Sequence, residues 1–303
     1  MMTTTVKAVN SKYKNSIYRE IRCGLDPEKL VAYETFFRRY AKDKVIIEIG
    51  CGPGILSYIA GRYGAKKVYA YEYNLKSYNL AKELLKDLDN VEVILTKDFA
   101  NESSIPTADI IIHEVLGHGV EDENIIKICK AVHKSGQIDK MYPKFYDYWY
   151  VDMPSEEEFH VKPYVYEEEH FLEYAVEFHK KLKAHMPDVE EWDFNVATNR
   201  NLYPYITKEE GTRFKTWSML DPIETWGYYP DGIFSRVHRG EIALCWTAYL
   251  DHHISFSNSF RRGNNWIPVF NSLLVKRLTN QIRFEPPIRN NYNREEWAKY
   301  VSI

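Results

Sequence analysis

The stretch VIIEIGCGPG at residues 45–54 decides the fold, because a short apolar run is followed at once by a glycine-rich turn. We predict a buried strand over Val45 to Ile49 and a helix that begins at Ile55. Glycine recurs at alternate positions of the turn, at Gly50, Gly52 and Gly54. Since glycine lacks a Cβ, the chain can turn tightly there and a ligand can approach the backbone. A strand, a glycine turn and a helix in this order indicate an α/β sheet that binds a nucleotide.

The spacing of the glycines narrows the choice of ligand. G-x-G-x-G is one residue tighter than the G-x-G-x-x-G pattern of dinucleotide-binding proteins. The longer pattern aims a helix N-terminus at a pyrophosphate, whereas a tight turn around a nucleoside and an amino-acid tail suits S-adenosylmethionine. Glycines also form ordinary strand-to-helix corners, so the turn alone leaves both interpretations open.

The segment GAKKVYAYE at 64–72 favours the ligand-binding interpretation. It predicts a second strand, Val68 to Tyr71, that ends in Glu72. An acidic residue at that point, about 20 residues beyond the glycine turn, is placed to accept hydrogen bonds from both ribose hydroxyls. A third strand is predicted over Val91 to Leu95. Two residues just beyond it are expected beside the adenine, Asp98 and Phe99.

The segment IIIHEVLGHGVEDE at 110–123 carries residues suited to chemistry on a cation. A strand is predicted over Asp109 to Ile112 and ends in His113-Glu114, and Glu123 follows nine positions after Glu114. Side chains at the carboxyl edge of a parallel sheet project into the crevice where such folds bind ligands. Two carboxylates there, beside a sulfonium, predict a negatively charged pocket for a cationic substrate.

Two of these segments resemble the protein arginine methyltransferase family, which has the class I S-adenosylmethionine-dependent methyltransferase fold. EIGCGPGILSYIAGRYGAKKVYAYE at 48–72 is similar to the family's cofactor segment without a gap, and HEVLGHGVEDE at 113–123 is similar to its double-glutamate loop. The resemblance implies that Glu114 and Glu123 are catalytic and orient the guanidinium of an arginine. It also implies S-adenosyl-L-methionine as the cofactor. The cofactor contacts that it implies are Glu48, Gly50, Cys51, Gly52, Gly54, Ile55, Glu72, Tyr73, Asp98, Phe99 and Glu114.

The second half of the chain has a different pattern. PKFYDYWYVDM at 143–153 alternates aromatic and polar residues, which is typical of a strand. In the family a β-barrel follows the cofactor domain. We therefore predict N-terminal helices and a Rossmann-like domain over 1–143, and a β-barrel substrate domain over 144–303. A helical arm is predicted within the barrel at about 164–192. In the family such an arm serves dimerisation, and packing on its own barrel is the alternative that stays open.

Near the end of the chain, FSNSFRRGNNWIPVF at 256–270 resembles a loop that in most of the family carries a Thr-His-Trp triplet beside the substrate guanidinium. The triplet here is Asn264-Asn265-Trp266, so the histidine is absent. We predict substrate contacts from Asn265 and Trp266, with a barrel-core position as the alternative for the tryptophan. His113 is the third predicted substrate contact. It replaces the small residue that usually precedes the first glutamate, which bears on the width of the pocket.

Composition narrows the class of protein. The net charge of −3 and the pI near 6.4 give no electrostatic argument for a nucleic acid or a membrane as a partner. No apolar run approaches the roughly 20 residues of a membrane span. The four cysteines form no C-x-x-C pair, which is expected of a cytoplasmic protein without a disulfide or a zinc site, and no metal is predicted. A homodimer is expected from the family resemblance alone.

Three functions stay open at this point. The first is N-methylation of arginine in a protein or peptide, the second is methylation of a free guanidine or other small amine, and the third is a non-catalytic binding module. The intact pair of glutamates argues against the third, since nothing structural requires both. A nicotinamide dehydrogenase is disfavoured by the glycine spacing. The sequence does not decide the methylation pattern, or whether Arg19 or Arg22 holds the carboxylate of the cofactor.

Overall fold

A computed structural model describes the protein in these ranges: 17–25, 27–102, 104–113, 115, 125–152, 163–164, 172–189, 203–204, 212–218, 220–221, 241–252, 254–257, 273–278 and 281–285. Among these residues, no helix combines the length and the apolar character that crossing a membrane requires.

Helices and strands alternate through the first half of the chain. The helices are α1 (Ile17–Gly24), α2 (Pro27–Tyr40), α3 (Ile55–Arg62), α4 (Leu75–Leu85) and α5 (Ile125–Lys134), with short 3-10 turns at Phe99–Asn101 and Ile138–Lys140. The strands are β1 (Val45–Ile49), β2 (Lys67–Glu72), β3 (Val91–Leu95), β4 (Ile110–His113) and β5 (Met141–Tyr142).

These five strands form one sheet in the order β3-β2-β1-β4-β5, and every neighbouring pair is parallel. Parallel strands joined by helices are covered on both faces, which explains why β1 and β4 are nearly continuous apolar runs. The register places Ile49 of β1 level with Tyr71 of β2 and with His113 of β4. The carboxyl ends of three strands therefore meet where the strand order reverses, which is where open α/β sheets bind ligands. The predicted α/β, Rossmann-like class is confirmed.

The bounds of these elements differ little from the predictions. β1 and β3 have the predicted bounds. β4 lies one residue later than predicted, over Ile110–His113, because His113 still pairs with Ile49 of β1. His113 is therefore the last residue of the strand and not the first residue of the loop.

The second half of the chain is mainly antiparallel sheet. Its elements are β6 (Phe145–Asp152), β7 (Pro163–Tyr164), α6 (Glu173–His185), β8 (Tyr203–Pro204), β9 (Thr212–Ser218), β10 (Glu241–Tyr249), β11 (Ser255–Ser257), β12 (Leu273–Leu278) and β13 (Gln281–Glu285). The main sheet has the order β13-β12-β10-β6-β9, with β11 on β10, and β7 pairs with β8. The chain changes sheets between Tyr142 and Phe145, close to the predicted domain boundary. Closure of the second sheet into a barrel stays a prediction, and so does the division into two domains.

Helix α6 packs on the first half of its own chain, against α2, α3 and α4. The ring of Phe178 lies 5.4 Å from the ring of Tyr58 in α3. An ion pair of 2.8 Å joins Lys181 to Asp87, just beyond α4. From the sequence, the arm was expected to pack either on its own barrel or on a partner subunit. In the structure α6 packs instead on helices of the first half of its own chain. Dimerisation through the arm stays a prediction.

The N-terminus of α6 is capped by a residue of α2. Leu172 at the N-cap position supplies no side-chain hydrogen bond. The carboxylate of Glu34 accepts hydrogen bonds from the backbone N–H of Tyr174, at 2.8 Å, and of Ala175, at 3.2 Å. The hydroxyl of Tyr63 donates to the same carboxylate at 3.3 Å. Burial raises the pKa of Glu34 to about 7, against the lowering effect of these three donors.

The two sheets share part of one buried core. Tyr33 of α2 lies 5.4 Å from Phe256 of β11, measured between ring centroids. Tyr146 of β6 meets Trp246 of β10 edge to face, and both side chains are almost fully buried. The second sheet thus packs against α2 and reaches the end of β4.

Candidate active site

The glycine turn after β1 is fastened to the end of β2. The backbone N–H groups of Gly50 and Cys51 both donate to the carbonyl of Tyr71, at 2.9 and 3.0 Å. The turn needs the left-handed region at Gly50, Gly52 and Gly54, whose φ angles are 78°, 54° and 92°. L-residues with a Cβ are strained in this region, so the sequence places glycine where the backbone requires it.

Gly52 and Gly54 face different surroundings. A Cβ at Gly52 would meet open space, with no atom of the described residues within 4 Å. A Cβ at Gly54 would lie 2.6 Å from Cδ1 of Leu85 in α4. Gly52 therefore leaves room for a ligand, whereas Gly54 lets α3 begin close to α4.

Glu72, at the end of β2, is a buried carboxylate that organises the turn. One of its oxygens accepts from the N–H of Gly52 at 2.7 Å. The other accepts from the N–H of Tyr73 at 2.9 Å and of Asn74 at 2.7 Å. Burial raises the pKa of Glu72 above its ordinary value, and these donors act in the opposite direction. The carboxylate is thus held in a fixed orientation beside the open space above Gly52.

One residue of the turn, Cys51, and one residue of β1 just before it, Glu48, are also buried. Glu48 of β1 accepts a hydrogen bond from the hydroxyl of Ser57 in α3. Burial raises the pKa of the Cys51 thiol well above its ordinary value, and the negative charges of Glu48 and Glu72 raise it further. Cys51 is a neutral thiol, and carboxylates surround the turn.

Helix α1 lies over the glycine turn through contacts that the sequence analysis did not identify. Gly24, at its end, would place a Cβ 3.5 Å from Ile55. The carboxylate of Glu20 accepts hydrogen bonds from the side-chain amide of Asn74, at 3.0 Å, and from the hydroxyl of Ser77. Asn74 also caps α4 by accepting from the N–H of Lys76. The sequence offered one indication of these contacts: Asn74 precedes a helix, and asparagine is a preferred N-cap residue.

The residues predicted beside the adenine make contacts within the protein. Asp98 accepts from the N–H of Ala100 and from the side chain of Asn101, and it forms an ion pair with Lys127. Phe99 is buried with its ring edge-on to Tyr71, at 5.0 Å between centroids. Their contact with a cofactor stays a prediction.

The remaining predicted cofactor residues next to the turn differ in exposure. Ile55 is buried at the first position of α3. The side chain of Tyr73 is 72% exposed directly after Glu72, so its ring is accessible at this edge of the sheet.

His113 is the last residue of β4, the strand that lies on the other side of β1 from Glu72. Its side chain is fully buried, and its Nε2 lies 2.8 Å from the hydroxyl of Tyr146 in β6. The hydroxyl of Tyr33 donates to the backbone carbonyl of His113 at 3.3 Å. Burial lowers the pKa of the imidazole to about 3, so the ring is neutral. The ring contacts Tyr146 and so links β4 to β6. Contact of His113 with a substrate stays a prediction.

Several predicted site residues lie outside the described residues. These are Glu114, Glu123, Asn265 and Trp266. The side chains of Arg19 and Arg22 are not described either. Among the residues that are described, no group of His, Cys, Asp or Glu side chains is arranged to hold a metal ion.

Comparison with known proteins gives a family model and relatives that each match part of the chain. Residues 30–139 match the family model of the ribosomal protein L11 methyltransferase (PrmA). Protein arginine N-methyltransferase 1 of Oryza sativa subsp. indica is 36% identical over 88 residues, which are 28% of this chain and 22% of that protein. The ribosomal protein L11 methyltransferase of Acinetobacter baumannii is 38% identical over 78 residues, 25% of this chain and 26% of that protein. Each match thus spans about a quarter of the relative's own length.

A solved structure extends the likeness of fold beyond that segment. It is the PRMT1 enzyme–prozyme heterotetrameric complex of Trypanosoma brucei with AdoHcy, and it covers 86% of this chain and 81% of its own. The identity is 18% and the TM-score is 0.51, so this likeness concerns the fold.

The parallel sheet, the glycine turn and the match over residues 30–139 define a methyltransferase-type α/β fold in the first half of the chain. Within that class, the predicted resemblance to the protein arginine methyltransferase family is confirmed over the 88 residues that match protein arginine N-methyltransferase 1.

Proposed function

We propose that this chain is an S-adenosylmethionine-dependent N-methyltransferase that acts on the guanidinium group of arginine in a protein or peptide. The observation that carries the proposal is the edge of the first sheet. There the glycine turn, the fixed carboxylate of Glu72 and the end of β4 meet. Glu114 is the next residue of the chain after β4.

The cofactor fits the turn for two reasons. The space above Gly52 is open among the described residues, and Glu72 stands beside it with its carboxylate already oriented. In the proposal Glu72 binds the ribose hydroxyls, and the backbone around Gly50 and Gly52 holds the amino-acid portion. When bound, S-adenosylmethionine supplies a methyl group on a positively charged sulfonium. The carboxylates around the turn favour that positive charge.

Two carboxylates suit a guanidinium substrate. An arginine side chain is protonated at physiological pH, and its planar fork of donors matches carboxylates bidentately. In the proposal Glu114 and Glu123 bind this fork, draw its charge toward the nitrogens that are not methylated, and orient one terminal nitrogen. Glu123, or a water, accepts the proton that this nitrogen releases. Most of the rate enhancement comes from orientation and electrostatic stabilisation.

The proposal extends to the second half of the chain. We propose that the second sheet closes into a β-barrel that forms the other wall of the site, with Asn265 and Trp266 toward the substrate. Support comes from Tyr146 of β6, which reaches His113 at the end of β4. We also propose that the protein is a homodimer, which light scattering tests, and that it is located in the cytoplasm, which cell fractionation tests.

The test is a methyl-transfer assay with labelled S-adenosylmethionine on arginine-rich peptides, free arginine and simple guanidines. We expect label on peptide arginine and a fall in kcat of at least about 100-fold in Glu114→Gln and Glu123→Gln. Cofactor affinity should stay within about threefold, because Glu72 is the main ribose contact. Glu121→Gln is the matched control, since it neutralises a carboxylate of the same segment without removing either proposed ligand.

The other results of the methyl-transfer assay each point to a different function. Label on free guanidines alone would assign the site to small-molecule methylation. Cofactor binding without label on any acceptor would contradict the proposal and favour a non-catalytic binding module. Hydrolysis of labelled peptide separates monomethyl, symmetric and asymmetric dimethyl products.

A further inference from the structure

The end of β4 is held by side chains from two other elements. The hydroxyl of Tyr146, in β6, lies 2.8 Å from Nε2 of His113. The hydroxyl of Tyr33, in α2, donates to the carbonyl of His113 at 3.3 Å. We call Tyr33, His113 and Tyr146 the β4 clamp. It joins the last residue of a first-sheet strand to the second sheet.

All three side chains of the β4 clamp are fully buried. Tyr33 is flanked by Phe37 and Phe256, with ring centroids 5.9 and 5.4 Å away. Nδ1 of His113 has no hydrogen-bond partner in the part of the chain that the structure describes. The contact with Tyr146 is therefore the imidazole's one side-chain hydrogen bond there. In an apolar interior such a bond is strong, and a missing partner is costly.

Packing alone does not explain an imidazole at this position. The other three residues of β4 are isoleucines, and an apolar side chain fills such a site without leaving a buried nitrogen unpaired. A hydrogen bond between His113 and Tyr146, however, fixes the orientation of the two side chains as well as the distance between them. The pair lies immediately before Glu114 in the chain.

We propose that His113 is a positioning residue whose hydrogen bond to Tyr146 fixes the end of β4 and thereby sets where the chain enters the segment that begins with Glu114. The inference rests on the proposed function, because Glu114 is one of the two carboxylates assigned to the guanidinium. The β4 clamp holds the backbone on one side of that residue from two elements. Displacement of a catalytic group by about 1 Å can cost 100-fold in rate, so such anchoring has a measurable effect.

The test uses three variants and a matched control. Tyr146→Phe removes only the hydroxyl that contacts His113. His113→Asn keeps a polar group near Nδ1 but loses the one at Nε2, whereas His113→Gln places an amide near Nε2 and can still reach Tyr146. Tyr249→Phe is the control, because its hydroxyl donates to Asp147 in the same sheet and belongs to no contact of the clamp.

Two readouts are measured on the full chain. The first is steady-state methyl transfer to an arginine peptide, with kcat and KM determined separately and cofactor affinity by calorimetry. We expect kcat to fall about 10- to 100-fold in Tyr146→Phe and His113→Asn, with cofactor affinity unchanged. The fall should be clearly smaller in His113→Gln than in His113→Asn, and kcat should stay within about threefold of wild type in Tyr249→Phe. The second is amide hydrogen exchange of the peptide covering residues 110–124. We expect it to be about tenfold faster in the first two variants.

These readouts separate the inference from the proposed function. If wild-type protein methylates no guanidinium but Tyr146→Phe accelerates exchange over 110–124, the β4 clamp stands and the proposed function fails. If wild-type protein is active while kcat and exchange are unchanged in Tyr146→Phe, the inference is overturned. A loss in His113→Gln as large as in His113→Asn would also overturn it, because the hydrogen bond at Nε2 would then not be the cause.

Discussion

The carboxyl ends of β2 and β4 lie at the same edge of one sheet, but they are held in different ways. Glu72 at the end of β2 is bound by backbone N–H groups of Gly52, Tyr73 and Asn74, at most 20 residues away in sequence. His113 at the end of β4 is bound by tyrosine hydroxyls 33 and 80 residues away. The proposed cofactor end is thus formed locally, whereas the proposed substrate end depends on assembly of both halves. Changes at the first should alter cofactor affinity, and changes at the second should alter turnover.

The largest effect that we expect comes from Gly54→Ala. A Cβ there lies 2.6 Å from Leu85, and the φ of 92° is strained for alanine. We expect a loss of about 3 kcal/mol in the free energy of unfolding, as the sum of strain and overpacking. Gly52→Ala carries only the strain, about 1 kcal/mol, but places a methyl group in the space proposed for the cofactor.

Urea unfolding and calorimetric titration with S-adenosylmethionine distinguish these two glycines. Gly52→Ala should lose more cofactor affinity than stability, and Gly54→Ala should lose mainly stability. Equal losses of stability in both variants would contradict the different surroundings assigned to them.

The next effect concerns Glu72→Gln. An amide oxygen can replace only part of a carboxylate that serves three backbone donors and, in the proposal, two ribose hydroxyls. We expect cofactor affinity to fall about 100-fold, or about 2.7 kcal/mol, by calorimetric titration. Stability without cofactor should fall by about 1–3 kcal/mol, because the amide nitrogen of glutamine cannot accept from the backbone N–H groups that one carboxylate oxygen now serves. Glu92→Gln, at an exposed carboxylate of β3, is the control, and an affinity within threefold of wild type in Glu72→Gln would refute the assignment.

The third effect is a dependence of stability on pH through Glu34. Folding raises its pKa from 4.5 to about 7. Between pH 4.5 and about 7 the folded protein holds a proton on Glu34 that the unfolded chain has released. The free energy of unfolding therefore falls as pH rises from 4.5 to about 7, and Glu34 adds no further dependence above that pH. We expect the free energy of unfolding to fall by about 3 kcal/mol across this window, and Glu34→Gln should remove this dependence on pH.

Denaturant unfolding between pH 4.5 and 8 measures this dependence. The neutral glutamine can still accept a hydrogen bond from the N-terminus of α6, so the variant should be at least as stable as wild type at pH 8. The same slope in wild type and in Glu34→Gln would show that another group is responsible.

The smallest effect is expected for Asp98→Asn. Its ion pair with Lys127 is partly exposed, so its loss should cost about 0.5 kcal/mol or less in thermal unfolding. Asparagine retains the acceptor for Ala100. The variant also tests the predicted adenine contact: a tenfold loss of cofactor affinity would support that contact, and unchanged affinity would confine Asp98 to contacts within the protein.

The sequence predicts the parts of this molecule that depend on neighbours in the chain. An apolar run indicates β1, since a covered parallel strand needs little else, and the glycine turn and Glu72 follow from their distance to β1. The pairing of His113 with Tyr146 and of Glu20 with Asn74 joins elements 33 and 54 residues apart. Such contacts depend on the relative placement and rotamers of separate elements, which no local pattern specifies. For the same reason, the sequence did not predict that α6 packs on α2, α3 and α4.

Because Glu34 caps a helix that begins about 140 residues later, the order of synthesis matters for this protein. At about 5–20 residues per second, the ribosome takes roughly 7 to 28 s to reach Tyr174 after Glu34 has been made. Until then Glu34 stays hydrated and ionised, and the ring of Tyr58 on α3 lacks the cover of Phe178. A nascent chain that stalls before residue 172 therefore displays an apolar surface beside a charge, which is the kind of surface that chaperones bind.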